Sequence, residues 1–369
     1  MKQNSFIQPL FYKKHAQPVC WLDDLTLIYY WSGKFILFNF DTKKETLIGK
    51  IPLSFKEKIL SLFPLLRRLF RQYIFSPVFD ESKNEILFSF NGYFCSYNLN
   101  SNTFCREQKL NHAARRLLSI CLSSNGKTYY GEYPTKKDNQ NICIYERDQN
   151  KNHSIVYSFK PGTIRHIHLL KEYNGDLFCF TGDENNESNI LCFPKKTFTC
   201  EPIHILSGKQ DFRTCVATFK NDFLYYLTDN PYFENKLFVY NIITSSFEKF
   251  FPIEGSVVYG LCSNTCIYFS TCVEYNLMKD EQGNNVCLKI DGTSGGIRSN
   301  ESILYYYDIT NNKLKKITAI KKDCLSIKYF GFGTFMFTCN TSSKYLAVFS
   351  HSLKRNETLF VYNVKKELN

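Results

Sequence analysis

Seven times along the chain, a short run of alternating aromatic and aliphatic residues ends in a polar corner, at 27–34, 87–92, 129–133, 177–183, 224–229, 267–274 and 346–351. A second run follows each, at 36–40, 93–99, 142–146, 190–193, 236–241, 303–309 and 358–364, and then a turn rich in Asn, Thr and Lys. Period-two alternation is the pattern of a strand with two unlike faces. A strand-built unit recurring every ~40–50 residues buries its apolar faces by stacking on further copies, which is the signature of a β-propeller. The sequence therefore predicts an all-β fold, a single β-propeller over residues 1–369 with seven four-stranded blades, six being the alternative count.

The last repeat stops after its third strand, which would leave an unpaired edge. The apolar, extended segment 6–12 is expected to close it by lying beside 359–364. Two stretches depart from the repeat. Segment 56–73 is helical by pattern: Leu62, Leu65, Leu66, Leu69 and Phe70 keep helical spacing, Lys56, Lys58, Arg67, Arg68 and Arg71 supply charge, and Pro64 breaks or kinks it. One reading packs this helix over the blades. The other makes it a basic amphipathic surface for an anionic bilayer or a lipid-linked substrate. The second departure, 278–300, contains KDEQGNN and GTSGG and reads as a long mobile loop.

Fifteen cysteines, an odd number, include no CxxC pair; Cys262 and Cys266 stand alone at short spacing. Cys95, Cys121, Cys143, Cys179 and Cys287 fall in apolar strand runs, where a thiol acts as a small buried group. With no secretory pattern at the start and no run of ~18 apolar residues, the expectation is a reduced, cytoplasmic protein that touches the inner membrane at most peripherally, through 56–73. The net charge of +12 suits an acidic partner. Its lysines are scattered over turns without a basic stripe, so nucleic acid is not expected.

Up-and-down connectivity places the start of each first strand and the end of each second strand on one face. The starts carry Arg115 and Arg116, then Arg165, His166 and His168, then Arg213, with Val258 and Tyr259 in the sixth repeat. The ends carry Glu132 and Tyr133, then Asp183 and Glu184, then Asp229, then Glu274, with His351 in the last repeat. Repeats one and two offer only Ser32 and Asn91, so the charge is one-sided. Arginine at the head of an apolar strand is costly without a partner, and three successive repeats place one there. Guanidinium forks bind carboxylates, acidic side chains bind hydroxyls and aromatic rings stack on sugars, so the predicted ligand is an acidic carbohydrate. Arg116, Arg165, His166, His168, Arg213 and Tyr133 are the candidate substrate-binding residues. Glu132, Asp183, Asp229, Glu274 and Tyr259 are the candidates for a glycosidase's acid, base or nucleophile. His166 and His168 share a side of their strand within reach of Asp183, but two histidines are a weak signal, and no metal or cofactor is expected.

Several segments resemble a known family. GTIRHIHLLKEYNGDLFCFTGDE at 162–184, SGKQDFRTCVATFKNDFLYYLTD at 207–229, GSVVY at 255–259, STCVE at 270–274, FGFG within 321–335, Gly131-Glu132-Tyr133 and LLRRLFR are similar to bacterial sialidase-like (BNR-type) β-propeller proteins associated with surface-polysaccharide biosynthesis. That resemblance implies a propeller and a link to glycan assembly or trimming. It does not imply catalysis, and the SxDxGxxW boxes of sialidases are missing from the turns. If the chain is an enzyme, a glycosidase or polysaccharide lyase is implied. The alternative is a non-catalytic scaffold of a glycan-assembly complex. A scaffold would leave its rim charges spent on one another and expose an apolar patch elsewhere.

Overall fold

The alternating runs fold as strands and gather into seven four-stranded antiparallel sheets, a seven-bladed β-propeller. The computed structural model describes residues 6–111, 116–134 and 140–364. Blades one to three begin with Gln17–Trp21, Phe75–Asp80 and Ile120–Leu122; blades four to six begin with His166–Tyr173, Thr214–Lys220 and Val257–Cys262; blade seven begins with Thr334–Phe337. By tertiary contacts the chain divides into two compact units. Residues 73–229 and 236–250 form one; residues 1–72, 230–235 and 251–369 form the other.

The first of these units carries blades two to four and most of five. Its core lies between facing sheets. Leu87 and Phe94 of blade two meet Tyr130 and Tyr145 of blade three, and Ile144 of blade three meets Ile167 and Leu191 of blade four. Phe178 and Phe180 then meet Tyr226 and Phe238 of blade five. Blade four presses so closely on blade three that a Cβ at Gly131 would lie 2.5 Å from Ile167. A buried charge cluster adds to this packing. Arg147 contacts Glu107 at 2.6 Å and Glu85 at 3.0 Å, with Lys151 and His153 completing the set.

The other unit carries blades six, seven and one. Phe11–Lys14 forms the fourth strand of blade seven, with Phe11 opposite Val361 and Lys14 opposite Thr358. The N-terminal segment thus closes the sheet as expected, but the strand starts later than the anticipated 6–12. Pro9 has no N–H to donate to a ladder, and upstream of it the Ile7 N–H bonds Ile317 of blade six.

The helical segment is two short helices, Phe55–Leu62 and Pro64–Leu69, separated at the proline. Ser54 and Glu57 form a reciprocal capping box at the first turn. Arg67 and Arg68, read from sequence as surface charge, are buried. Arg67 makes a bidentate pair with Glu357 at 2.6 and 2.8 Å and lies over the Trp31 ring at 3.9 Å. Arg68 reaches Asp323 at 2.7 Å and Ser352 at 2.8 Å.

Two further expectations are corrected. The excursion 278–300 is not all loop: Leu277–Lys279 and Asn285–Cys287 pair as a hairpin, and Ile297 is buried. Cys287 is therefore exposed on this hairpin, whereas Cys95, Cys121, Cys143 and Cys179 are buried as predicted. None of the fifteen cysteines is in a disulfide. Among the described residues, no helix is long and apolar enough to cross a membrane.

Candidate functional site

The best-developed polar cluster lies where the second strand of one blade ends beside the first strand of the next, in the unit containing blades two to four. Asp183 follows directly on the strand Asp176–Gly182, and Arg165 directly precedes His166–Tyr173. Arg213 precedes Thr214–Lys220, and Asp229 follows Phe223–Thr228. The Asp229 N–H donates to the Arg213 carbonyl at 2.9 Å, which locks that pair of strand ends together.

Asp183 is the hub. Its Oδ1 meets His166 Nε2 at 3.1 Å, His168 Nε2 at 3.4 Å and Arg213 Nη2 at 3.2 Å, while Oδ2 meets Arg165 Nη1 at 3.0 Å. Burial works against its charge. Arg213 and the bonds from His166 and His168 outweigh that cost and hold the carboxyl well below the usual range. His166 is pushed down to about 4, mainly by burial, against the pull of Asp183. The backbone of Asp183 is fixed as well: its N–H donates to Glu187 at 3.2 Å, and Gln210 donates to its carbonyl at 2.6 Å.

Arg213 ties the two carboxylates together, since the same Nη2 lies 3.1 Å from Asp229 Oδ2. Both carboxylates thus meet on one guanidinium nitrogen. Beside this lies a stack of rings. The Tyr133 ring is 4.2 Å from that of His166, which is 4.9 Å from that of His168, and Arg116 caps Tyr133 at 5.5 Å. Burial raises the Tyr133 phenol far above its ordinary value, with Arg116 opposing.

Two local features admit this crowding. The pairing of blade four's first two strands slips between Ile167 and Leu169, leaving His168 as the extra residue of a β-bulge; in blade five the slip between Thr214 and Val216 does the same for Cys215. A bulge re-aims the side chain it carries. Gly182 supplies the space: a Cβ there would stand 2.7 Å from His168 Cε1 and 3.1 Å from the Arg213 side chain.

Of the residues expected from sequence, Arg165, His166, His168, Asp183, Arg213 and Asp229 are brought together, with Tyr133 and Arg116 alongside. Glu132 is committed locally, accepting from the Cys143 N–H at 2.8 Å and the Tyr145 hydroxyl at 3.0 Å. Glu274 and Tyr259 belong to the other unit, where Glu274 accepts a bond from Ser256 and Tyr259 packs against the core between blades six and seven. Arg115 lies outside the described residues. Sequence reading missed Gln210 and Cys215. Cys215 lies within an apolar strand run, like many of the other cysteines, and nothing in the sequence there sets it apart.

No protein-family model and no curated protein matches the sequence. Solved structures do match. A chain of the mitotic checkpoint complex is 9% identical, with a TM-score of 0.57 over 97% of this chain and 95% of that one. An oligogalacturonate lyase in complex with manganese is 7% identical, with a TM-score of 0.57 over 95% and 90%. The WD40 β-propeller domain of Doa1 is 10% identical, with a TM-score of 0.52 over 98% of each. At these identities the likeness shows the fold, a β-propeller, and nothing finer.

Proposed function

We propose that the protein binds an acidic carbohydrate at the Arg165–Asp183–Arg213 cluster, in surface-polysaccharide metabolism. One observation carries this reading. Two arginines, two histidines and two aspartates are drawn into one small volume at adjacent blade ends, with Arg165 still one-third exposed. Burying such a set costs several kcal/mol per ion unless every member is well paired, and here some polar atoms are left over. Arg165 Nε and Gln210 Oε1 are buried without hydrogen-bond partners. A sugar carboxylate on the guanidiniums and hydroxyls on the aspartates, with Tyr133 beside them, uses each group according to its chemistry. That an oligogalacturonate lyase has the same fold is consistent with this ligand class.

The test is calorimetric titration with oligogalacturonates, sialylated oligosaccharides and neutral oligosaccharides of equal length. Only the acidic ones should bind, and Arg165→Ala should weaken them at least tenfold. Arg165 is the informative position because its partial exposure lets it be removed with little strain. Equal affinity in Arg165→Ala and the parent, or equal binding of neutral sugars, removes the reading.

A second reading is favoured by a separate observation. The paired helices expose Phe55 at 79%, Leu62 at 70%, Phe63 at 57% and Leu65 at 56%, with Lys56 and Lys58 exposed beside them. Phe55, Ile59 and Leu62 sit at helical spacing on one face, turned to solvent. Apolar side chains flanked by lysines match an anionic lipid surface. This face would hold the protein at a membrane, where a lipid-linked glycan would be presented.

A further inference from the structure

The geometry points to a site for one divalent transition-metal ion of the zinc class, held by His166, His168 and Asp183. The ring nitrogens of the two histidines lie 3.1 and 3.4 Å from the same Asp183 oxygen. Ligand atoms bound at about 2.1 Å to a shared ion at tetrahedral or octahedral angles stand about 3.0–3.4 Å apart. Hydrogen bonding alone serves this arrangement poorly. Three nitrogens, from His166, His168 and Arg213, converge on Asp183 Oδ1, and an oxygen has two lone pairs to offer.

His166 Nδ1, His168 Nδ1 and Asp229 Oδ1 are all buried without hydrogen-bond partners. The residues that carry them are 2%, 1% and 4% exposed. Neither Nδ1 is engaged by an acceptor, so each can carry its ring's proton and leave the Nε2 lone pair to an ion.

His168 also belongs to a second set of donors: it, Cys215 and Asp229 bring one ligand atom each within 4.8 Å of one another, as do His166, His168 and Asp183. Two neighbouring blades thus direct imidazole, carboxylate and thiol to one place, and both His168 and Cys215 are the extra residues of β-bulges. Imidazole with carboxylate, and a thiol at hand, is a donor set for zinc or cobalt rather than for magnesium or calcium. The ion would take Asp183 Oδ1, leaving Oδ2 to Arg165 and Asp229 Oδ2 to Arg213. Asp183 and Asp229 already balance Arg165 and Arg213, so the added charge would be free to meet an anionic ligand. The site stands on its donor set alone and needs no carbohydrate.

Fifteen thiols would give background binding, so the titration uses the full chain with the exposed Cys105, Cys200, Cys287 and Cys324 changed to Ser. After removal of metal with a chelator, Co(II) and Zn(II) are titrated without sugar, followed by calorimetry and visible absorption. One ion per chain is expected, with affinity at least tenfold lower in His168→Ala and in Asp183→Asn. Stoichiometric binding that both variants retain, or no saturable binding, overturns the proposal. Should either variant fail to fold, crystals of the parent soaked in cobalt decide by anomalous scattering: a peak between His166, His168 and Asp183 supports the site, and its absence there refutes it. A positive metal titration with no binding of acidic sugar, or the reverse, separates this inference from the carbohydrate reading.

Discussion

Gly182 shows how narrowly the polar cluster is fitted. It ends the strand Asp176–Gly182, and it is needed because the His168 ring and the Arg213 chain fill the space a Cβ would take. Gly182→Ala should therefore push the imidazole away from Asp183 while leaving the sheet intact. The expected cost is about 1–3 kcal/mol of overpacking, read from a denaturant midpoint. Acidic-oligosaccharide affinity, measured on the same sample, should fall by more than that stability change accounts for. A variant with parental affinity and only reduced stability would make the glycine a packing residue and no more. The sequence signalled this corner well. Arg165, His166, His168 and Asp183 were all legible because up-and-down strand order forces their positions together. Gln210 and Cys215 were not. A bulge depends on how two strands slip against each other, which leaves no trace in the composition of either.

At the scale of elements, the helical pair inverts the usual arrangement of an amphipathic helix. Arg67 and Arg68 face inward, and Leu62, Leu65 and Leu69 outward. Spacing and Pro64 disclosed the helices, but not which face is buried, because the partner that fixes Arg67 is Glu357, 290 residues away. The buried pair pins an apolar face outward, so the two faces make separable predictions. Replacing Phe55 and Leu62 together with Ser should leave stability within about 0.5 kcal/mol, since both are exposed. The same change should lower flotation with phosphatidylserine-containing liposomes at least tenfold. Arg67→Ala should instead destabilise by about 3–5 kcal/mol, because it strands Glu357 as a buried charge. If the parent does not float with anionic liposomes, the lipid reading of this face fails, and a protein partner becomes the occupant to seek.

Over the molecule as a whole, repetition made the fold legible and left its charge braces hidden. The blade count follows from alternation repeated seven times, and the closing N-terminal strand from a last repeat one strand short. The ion clusters do not, since Glu85 and Glu107 belong to blade two and Arg147 to blade three, and each looks like an ordinary strand charge. Their effect is global because they join blades, and it carries a defined pH dependence. Burial raises the Glu107 carboxyl, but hydrogen bonds from Arg147, His153 and Ser96 outweigh this and bring it down from 4.5 to about 2. A carboxyl depressed in the folded state stabilises the fold above its unfolded value, and that contribution disappears as pH falls through the folded one. The window is therefore from about 4.5 down to about 2, and the amount at stake is on the order of 3 kcal/mol. Urea melts across that range should show the parent losing stability steeply. Glu107→Gln should be less stable at neutral pH but shallower on acidification, because it has no proton to take up there. Parallel curves for the two proteins would mean that acid acts elsewhere, and that the bond between blades two and three is carried by Phe94, Tyr130 and their apolar neighbours instead.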